Sequence, residues 1–207
     1  NFDVVFVKSD IDNKDYLVRN LPDKQQAANI LAQLARDLKQ IVDGLDAENV
    51  ENIYNNYYKV DFEKANKIVE TTSDEDRRAI INKKTSLLRK IQGDINRLKS
   101  NFNENNISEN TPDAKYTSYS VNKGEKIFMC IRNKNKNEEL VDKNTLLFVA
   151  IHELGHLITE EIGHPPQFWK NFKFLLKYAI NNNIYKYIDF NKYPKQYCGT
   201  SITDSPL

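Results

Sequence analysis

Six consecutive apolar residues, Leu146-Leu147-Phe148-Val149-Ala150-Ile151, run straight into His152-Glu153-Leu154-Gly155-His156, and Leu157-Ile158 follow. A stretch this apolar must be buried, and its length without a Pro favours a helix. The pattern predicts a helix over 145–162, with Asn144 as its N-cap and Gly163 in the position that ends it. Residues four apart on a helix are offset by about 40° and one turn. His152 and His156 therefore share a face, which suits two ligands of a tetrahedral zinc at about 2.0–2.1 Å each. Glu153 stands beside the first ligand, where it reaches a water at the metal instead of the metal itself. Zinc pulls the pKa of such a water towards about 7, and a carboxylate base completes its activation for attack on a peptide carbonyl.

The chain has three His in 207 residues, and all lie between 152 and 164. His164 follows His156 after seven residues and is preceded by Gly163, which lets the chain reverse and swing His164 back. Its other reading is a cation that satisfies carbonyls at a helix end. Glu160, Glu161 and Asp189 compete for the same role. Glu160 lies four residues beyond His156, too far along the axis to share the metal, and Asp189 requires the tail to fold back. A Glu from the next helix is not available, because 166–180 contains neither Glu nor Asp. On the residues alone, Glu153 is the candidate catalytic base, His152 and His156 are metal ligands, His164 is the favoured third ligand with Asp189 still open, and one zinc per chain is expected. Substrate-binding residues are not assigned, although the tyrosines at 185, 187, 193 and 197 include candidates for oxyanion stabilisation.

Composition excludes several classes. Lys+Arg number 30 and Asp+Glu 29, a net charge of +1, so long-range attraction to a polyanion has little to work with. Locally, 165–198 holds six Lys against one Asp, and nucleic acid near the site is a secondary expectation beside a polypeptide substrate. Mean hydropathy is −0.67, and no apolar run approaches the roughly 18 residues of a spanning helix. Two Cys, Cys130 and Cys198, cannot form a disulfide framework. They can pair, bind metal or stay free, and free thiols are the default in a reducing compartment. Asn occurs 26 times, a mark of an AT-rich source. The first residue is Asn1, so an N-terminus processed or trimmed of a signal, anchor or pro-segment is expected. The expected location, left open by that, leans to the cell interior or a virion.

Elsewhere the sequence predicts one domain over 1–207. Phe2–Val7 reads as a strand and Tyr16-Leu17-Val18 as a short second one. Pro22 opens a helix that Gly44 stops, with Ala27, Ile30, Leu31, Leu34, Leu38 and Ile41 inward. Residues 45–105 look helical and polar, with Ile53, Tyr57, Val60, Phe62, Ile68 and Val69 scattered through the first part. Ser73 with Asp76 is a capping-box variant before a long amphipathic helix of about 25–30 residues. That helix carries eight positives against four acids. Residues 101–114 read as a linker loop. Tyr116–Val121 and Lys126–Ile131 flank Asn122-Lys123-Gly124 as a hairpin. Pro165 or Pro166 starts another helix, and the tail 181–207 shows no period.

The run from His152 to His156, then Gly163-His164-Pro-Pro-Gln-Phe168-Trp169, resembles the WLM/SprT-like branch of zincin metallopeptidases. With Tyr197-Cys198-Gly199 in an Asn-rich tail, it is similar to uncharacterised WLM-like peptidases of large DNA viruses and protists. The resemblance covers about 145–176. It implies zinc ligands at His152, His156 and His164, a base at Glu153, and Phe168 and Trp169 as packing residues for the ligand-bearing loop. The metzincin branch does not fit, since its second and third His are five residues apart and its Met turn follows, whereas Met129 lies upstream.

The expected architecture is α+β, mostly helical and zincin-like. The active-site helix lies beneath a small antiparallel or mixed sheet built from the N-terminal strand and the 116–131 hairpin. A sheet edge beside the helix accepts an extended peptide as an added strand. The expected activity is zinc-dependent endopeptidase. One alternative is a DNA-associated protease acting on DNA-bound or crosslinked proteins, and another is a non-catalytic zinc-containing interaction or virion module.

Overall fold

The apolar run before the first His lies at the centre of the molecule. A computed structural model describes residues 2–46, 51–52, 67, 69–70 and 73–207, and shows an α+β chain. Helix α1 spans Lys24–Gly44, α2 Asp74–Asn101, α3 Lys143–Ile158 and α4 Pro166–Asn181. Strands are β1 Val4–Lys8, β2 Asp15–Arg19, β3 Ile107–Glu109, β4 Tyr119–Val121, β5 Lys126–Met129, β6 Lys195–Tyr197 and β7 Thr200–Ile202. Helix α3 is buried on nearly every side, as a helix apolar all round must be. It packs against α1, α2, α4 and β4.

The helices follow the sequence pattern closely, and their ends less so. In α1 the positions from Ala27 to Val42 form the buried stripe, but Ile30 is only half-buried. Its N-cap Asp23 makes no side-chain cap, because Asp23 Oδ1 instead accepts from Arg132 Nη1 at 2.6 Å. Gly44 is the last helical residue, and it faces Tyr178 so closely that a Cβ there would meet the hydroxyl. Ser73 caps α2 as expected, accepting from the Asp76 N–H. Pro165 is the N-cap of α4 and Pro166 its first residue. The scattered positions Ile53, Tyr57, Val60, Phe62 and Ile68 lie outside the described residues.

Three expectations need correction. Helix α3 is capped by Asp142, not Asn144. The Asp142 carboxylate accepts from Thr145 N at 3.0 Å, while Asn144 turns outward to bond Lys186. The same helix ends at Ile158, four residues short of the predicted end, because Thr159 takes extended backbone as its C-cap. The N-terminal strand does not join the 116–131 hairpin. Strands β1 and β2 form their own antiparallel pair, and a separate sheet runs β3-β5-β4, with β3 parallel and β4 antiparallel to β5.

The supposed linker 101–114 thus contains β3, and the tail contains the β6–β7 hairpin. Glu109 stitches β3 to β2 in place of a backbone ladder: Oε1 accepts from Arg19 N and Oε2 from Arg132 Nε, both at 2.9 Å. Arg19 pairs in turn with Glu138. The tail hairpin is tied down by a Cys130–Cys198 disulfide, so the free-thiol default does not hold. Closing a loop of 68 residues stabilises by roughly 4 kcal/mol in the chain-entropy picture. Beside it a closed hydrogen-bond ring forms: Tyr197 Oη donates to Cys130 O at 2.7 Å, Cys130 N donates to Ser118 Oγ at 3.0 Å, and Ser118 Oγ meets Tyr197 Oη at 2.6 Å. No helix among the described residues is long and apolar enough to cross a membrane.

Candidate metal centre

His152 and His156 project from the last turns of α3, and His164 returns from the loop that follows. One ligand atom from each lies within 4.8 Å of the others, so the cluster could hold a metal ion. The imidazole centroids are 5.0, 5.2 and 4.8 Å apart. Three imidazoles gathered at such spacing offer the ligand type that suits a zinc or similar ion. Metal ligation requires neutral imidazole. Burial, then the charge of the neighbouring His152, His164 and Lys123, pushes His156 down to about 3. Burial and His152 also lower His164. Among the described residues this is the one such cluster. Glu160 reaches towards Arg97 at 3.9 Å, and the Asp189 carboxylate caps the turn at Asn191 and Lys192, so neither joins the group.

Glu153 lies on the same turn, with its side chain only 3% exposed, and one oxygen is 3.2 Å from His152 Nδ1. If that nitrogen carries the proton, the lone pair of His152 is on Nε2, the arrangement in which a carboxylate fixes a ligand's tautomer. The cluster opens into a cleft of about 640 Å³, whose far wall is Tyr116, Ser118, Tyr119 and Ser120 on and before β4, and whose rim includes Ile162. Among the described residues, strand β4 lies at an edge of its sheet. The tyrosines in the cleft are Tyr116 and Tyr119. Of those suggested from the tail, Tyr185 packs on Phe148, Tyr187 and Tyr193 are exposed, and Tyr197 is buried behind the cleft wall, bonded to Ser118 and within reach of the Glu153 charge.

Phe168 is the packing residue of the cluster. Its ring stacks on His156 at 4.4 Å and meets His152 and His164 edge-on at 5.0 and 4.8 Å. Gly155 permits this, since a Cβ there would stand 2.8 Å from the Phe168 ring. Trp169 is partly exposed and tilts towards His164 at 6.0 Å.

The frame of the site includes residues that sequence reading passed over. The last carbonyls of a helix need partners. Gly155 O accepts from Thr159 N and from Thr159 Oγ1, and buried Asn171 holds that hydroxyl at 2.9 Å. Ile158 O accepts from Arg97 Nη1 of α2 at 3.1 Å. His156 O accepts from Lys123 Nζ at 2.9 Å. Lys123 sits in the β4–β5 turn at φ +55°, a conformation that costs a residue with a Cβ about 1 kcal/mol or more. Gly124 beside it, at φ +117°, lies so close to Asn101 O and Leu157 that no side chain fits. The signal for the turn was legible in Asn122-Lys123-Gly124, but not what its lysine touches. His164 does not end a helix, since α3 stops at Ile158.

Among the basic residues of α2, Arg77 pairs with Asp74, Lys84 with Glu51 and Arg97 with Asp94, so part of that charge is neutralised locally.

No family model matches the chain, and no solved structure matches it. It is 36% identical over 202 residues to "Uncharacterized protein R325" of Acanthamoeba polyphaga mimivirus, covering 98% of this chain and 84% of that one. Shorter similarities join it to two further viral proteins. "Uncharacterized protein 136R" of Invertebrate iridescent virus 6 is 35% identical over 82 residues, and "Uncharacterized protein 042R" of Invertebrate iridescent virus 3 is 40% identical over 82. Those matches cover 39% of this chain and 44% and 48% of the relatives.

Proposed function

The chain belongs to the family of the mimivirus protein R325, and we propose that it is a zinc-dependent metalloendopeptidase with a zincin-like site. The observation that carries this reading is the convergence of three imidazoles beside one buried carboxylate, in a cleft walled by a sheet edge. The resemblance of 145–176 to WLM/SprT-like peptidases supports it further. His152, His156 and His164 would hold the metal, since an all-imidazole set suits zinc and leaves a position open. A zinc ion held there supplies a Lewis acid that polarises an amide carbonyl and acidifies a water.

The protein's own groups supply the rest. Glu153 takes the proton of the attacking water and later delivers it to the leaving amine. A polypeptide in extended form adds to the open edge of β4, where backbone hydrogen bonds hold it without regard to sequence. Tyr116, Tyr119 and Ile162 give that wall an apolar character.

The test is metal analysis joined to peptide cleavage. The expected result is one zinc per chain, loosened by His164→Ala, with cleavage of unfolded polypeptide abolished by Glu153→Gln while zinc remains. A Glu153→Gln protein that keeps its zinc and cleaves as fast as the parent would remove Glu153 from the reaction.

A further inference from the structure

We infer that Lys123 is a positioning residue of the metal centre: its ammonium group, reaching from the β4–β5 turn, holds the loop that returns His164 to His152 and His156. This rests on the reading of the three His as metal ligands.

The loop from Thr159 to His164 has little of its own to define it. Among the described residues, no backbone–backbone hydrogen bond engages any of residues 160–164. What gathers the loop is one nitrogen. Lys123 Nζ donates to His156 O at 2.9 Å, Thr159 O at 2.8 Å and Glu161 O at 2.8 Å. An ammonium has three N–H donors, and all three are used. The first acceptor belongs to a ligand residue at the helix end. The other two lie on either side of the bend, so the chain is wrapped around the lysine before it reaches Gly163 and His164.

The lysine is itself anchored. The turn that carries it is docked through Gly124 onto Asn101 and Leu157, so its stem starts from a fixed point. Lys123 and its neighbour Asn122 both take left-handed backbone in this turn. Arg97 holds the neighbouring carbonyl of Ile158 but touches no loop acceptor beyond its long approach to Glu160. The two cations therefore divide the work: Arg97 caps the helix, and Lys123 shapes the return of the third ligand. Because the same turn continues into β4, the cleft wall and the metal loop share one lysine.

Three variants test this: Lys123→Met, which keeps length but removes the donors, Lys123→Cys, and Arg97→Met as a comparison. Metal binding is read with Co(II), whose visible absorption reports ligand number and geometry independently of any peptidase activity. The expected result is a changed Co(II) spectrum and an affinity lower by about 10–100-fold in Lys123→Met, the range seen when an outer partner of a ligand is lost. Arg97→Met should keep the parental spectrum. Both native cysteines are paired, so the thiol of Lys123→Cys is the one available for aminoethylation, which rebuilds a lysine-like ammonium. Restoration of the parental spectrum by that treatment supports the inference even if Lys123→Met folds poorly. Parental spectrum and affinity in Lys123→Met, or a folded and aminoethylated Lys123→Cys that stays altered, would overturn it. If the parent protein itself binds no Co(II), the metal centre fails instead.

Discussion

Two polar clusters are built into this fold, and they are organised oppositely. Around Glu109 the interior charges answer one another: its two oxygens accept from Arg19 N and Arg132 Nε, while Arg132 and Arg19 go on to Asp23 and Glu138. Each guanidinium in that node faces a carboxylate, although Arg132 Nη2 is buried without a hydrogen bond. At the end of α3, three imidazoles face one another with a single carboxylate, Glu153, beside His152, and burial pushes His156 down. Like groups are gathered there, in a cluster that could hold a metal ion. Cross-sheet fastening and ligand binding can both bury polar side chains, and the sign of the neighbours tells them apart.

The sharpest way to break the comparison is at Glu153. Replacing it with Gln should lower peptide hydrolysis by about 10²–10⁴-fold, the usual worth of a general base, with the fold and zinc content kept. Loss of zinc instead would mean that its role is to hold the metal site together. Next comes Arg132→Met, which strands Glu109 in the interior. It should cost about 3–5 kcal/mol in chemical denaturation and leave zinc affinity alone. A drop in metal affinity at equal folded fraction would show that the two clusters are coupled. His164→Ala should weaken zinc binding by more than the roughly 10–100-fold loss of an outer partner, while the metal-free protein unfolds at an unchanged denaturant midpoint.

Two smaller effects sharpen the contrast. Gly155→Ala pushes a methyl group into the Phe168 ring and should destabilise by about 1–3 kcal/mol, with zinc affinity falling alongside because that ring backs all three His. Unchanged stability would mean the ring has room to retreat. The last is a pH effect. His156 is depressed to about 3 in the fold, below the ordinary value of 6.5. The unfolded chain therefore binds its proton first, and stability is lost as pH falls from about 6.5 towards 3. For one such group the slope is at most about 1.4 kcal/mol per pH unit. Urea midpoints of metal-free protein across that range should flatten in His156→Ala, and an equal slope in both would assign the effect to other groups.

What sequence made legible follows from range. The placement of His152 and His156 on one helix, the Ser73 cap and most of the α1 stripe depend on residues within a turn or two and are seen in the fold. The α2 stripe is buried only in its second half, at Ile91, Ile95 and Leu98, with Ile81 exposed. His164 was reachable because Gly163 marks a reversal. Strand β3 was hidden because three residues in an Asn-rich stretch carry no alternation, and its pairing partner is β5, 20 residues on. The end of α3 was misplaced because Glu160, Glu161 and Ile162 continue a helical pattern locally. What stops the helix is the tertiary capture of its last carbonyls by Arg97 and Lys123. The disulfide joins segments 68 residues apart, and two cysteines alone carry no information about distance.

The contact of Phe168 with three imidazoles has a spectroscopic consequence. An aromatic ring shifts the proton resonances of groups above its face upfield and of groups at its edge downfield. His156 lies over the face, whereas His152 and His164 meet the ring steeply inclined. Since these are the only His in the chain, its imidazole NMR region is a readout of this corner alone, with His156 displaced from the other two. Titrating metal while watching those few lines would follow each ligand separately, without labels or mutations.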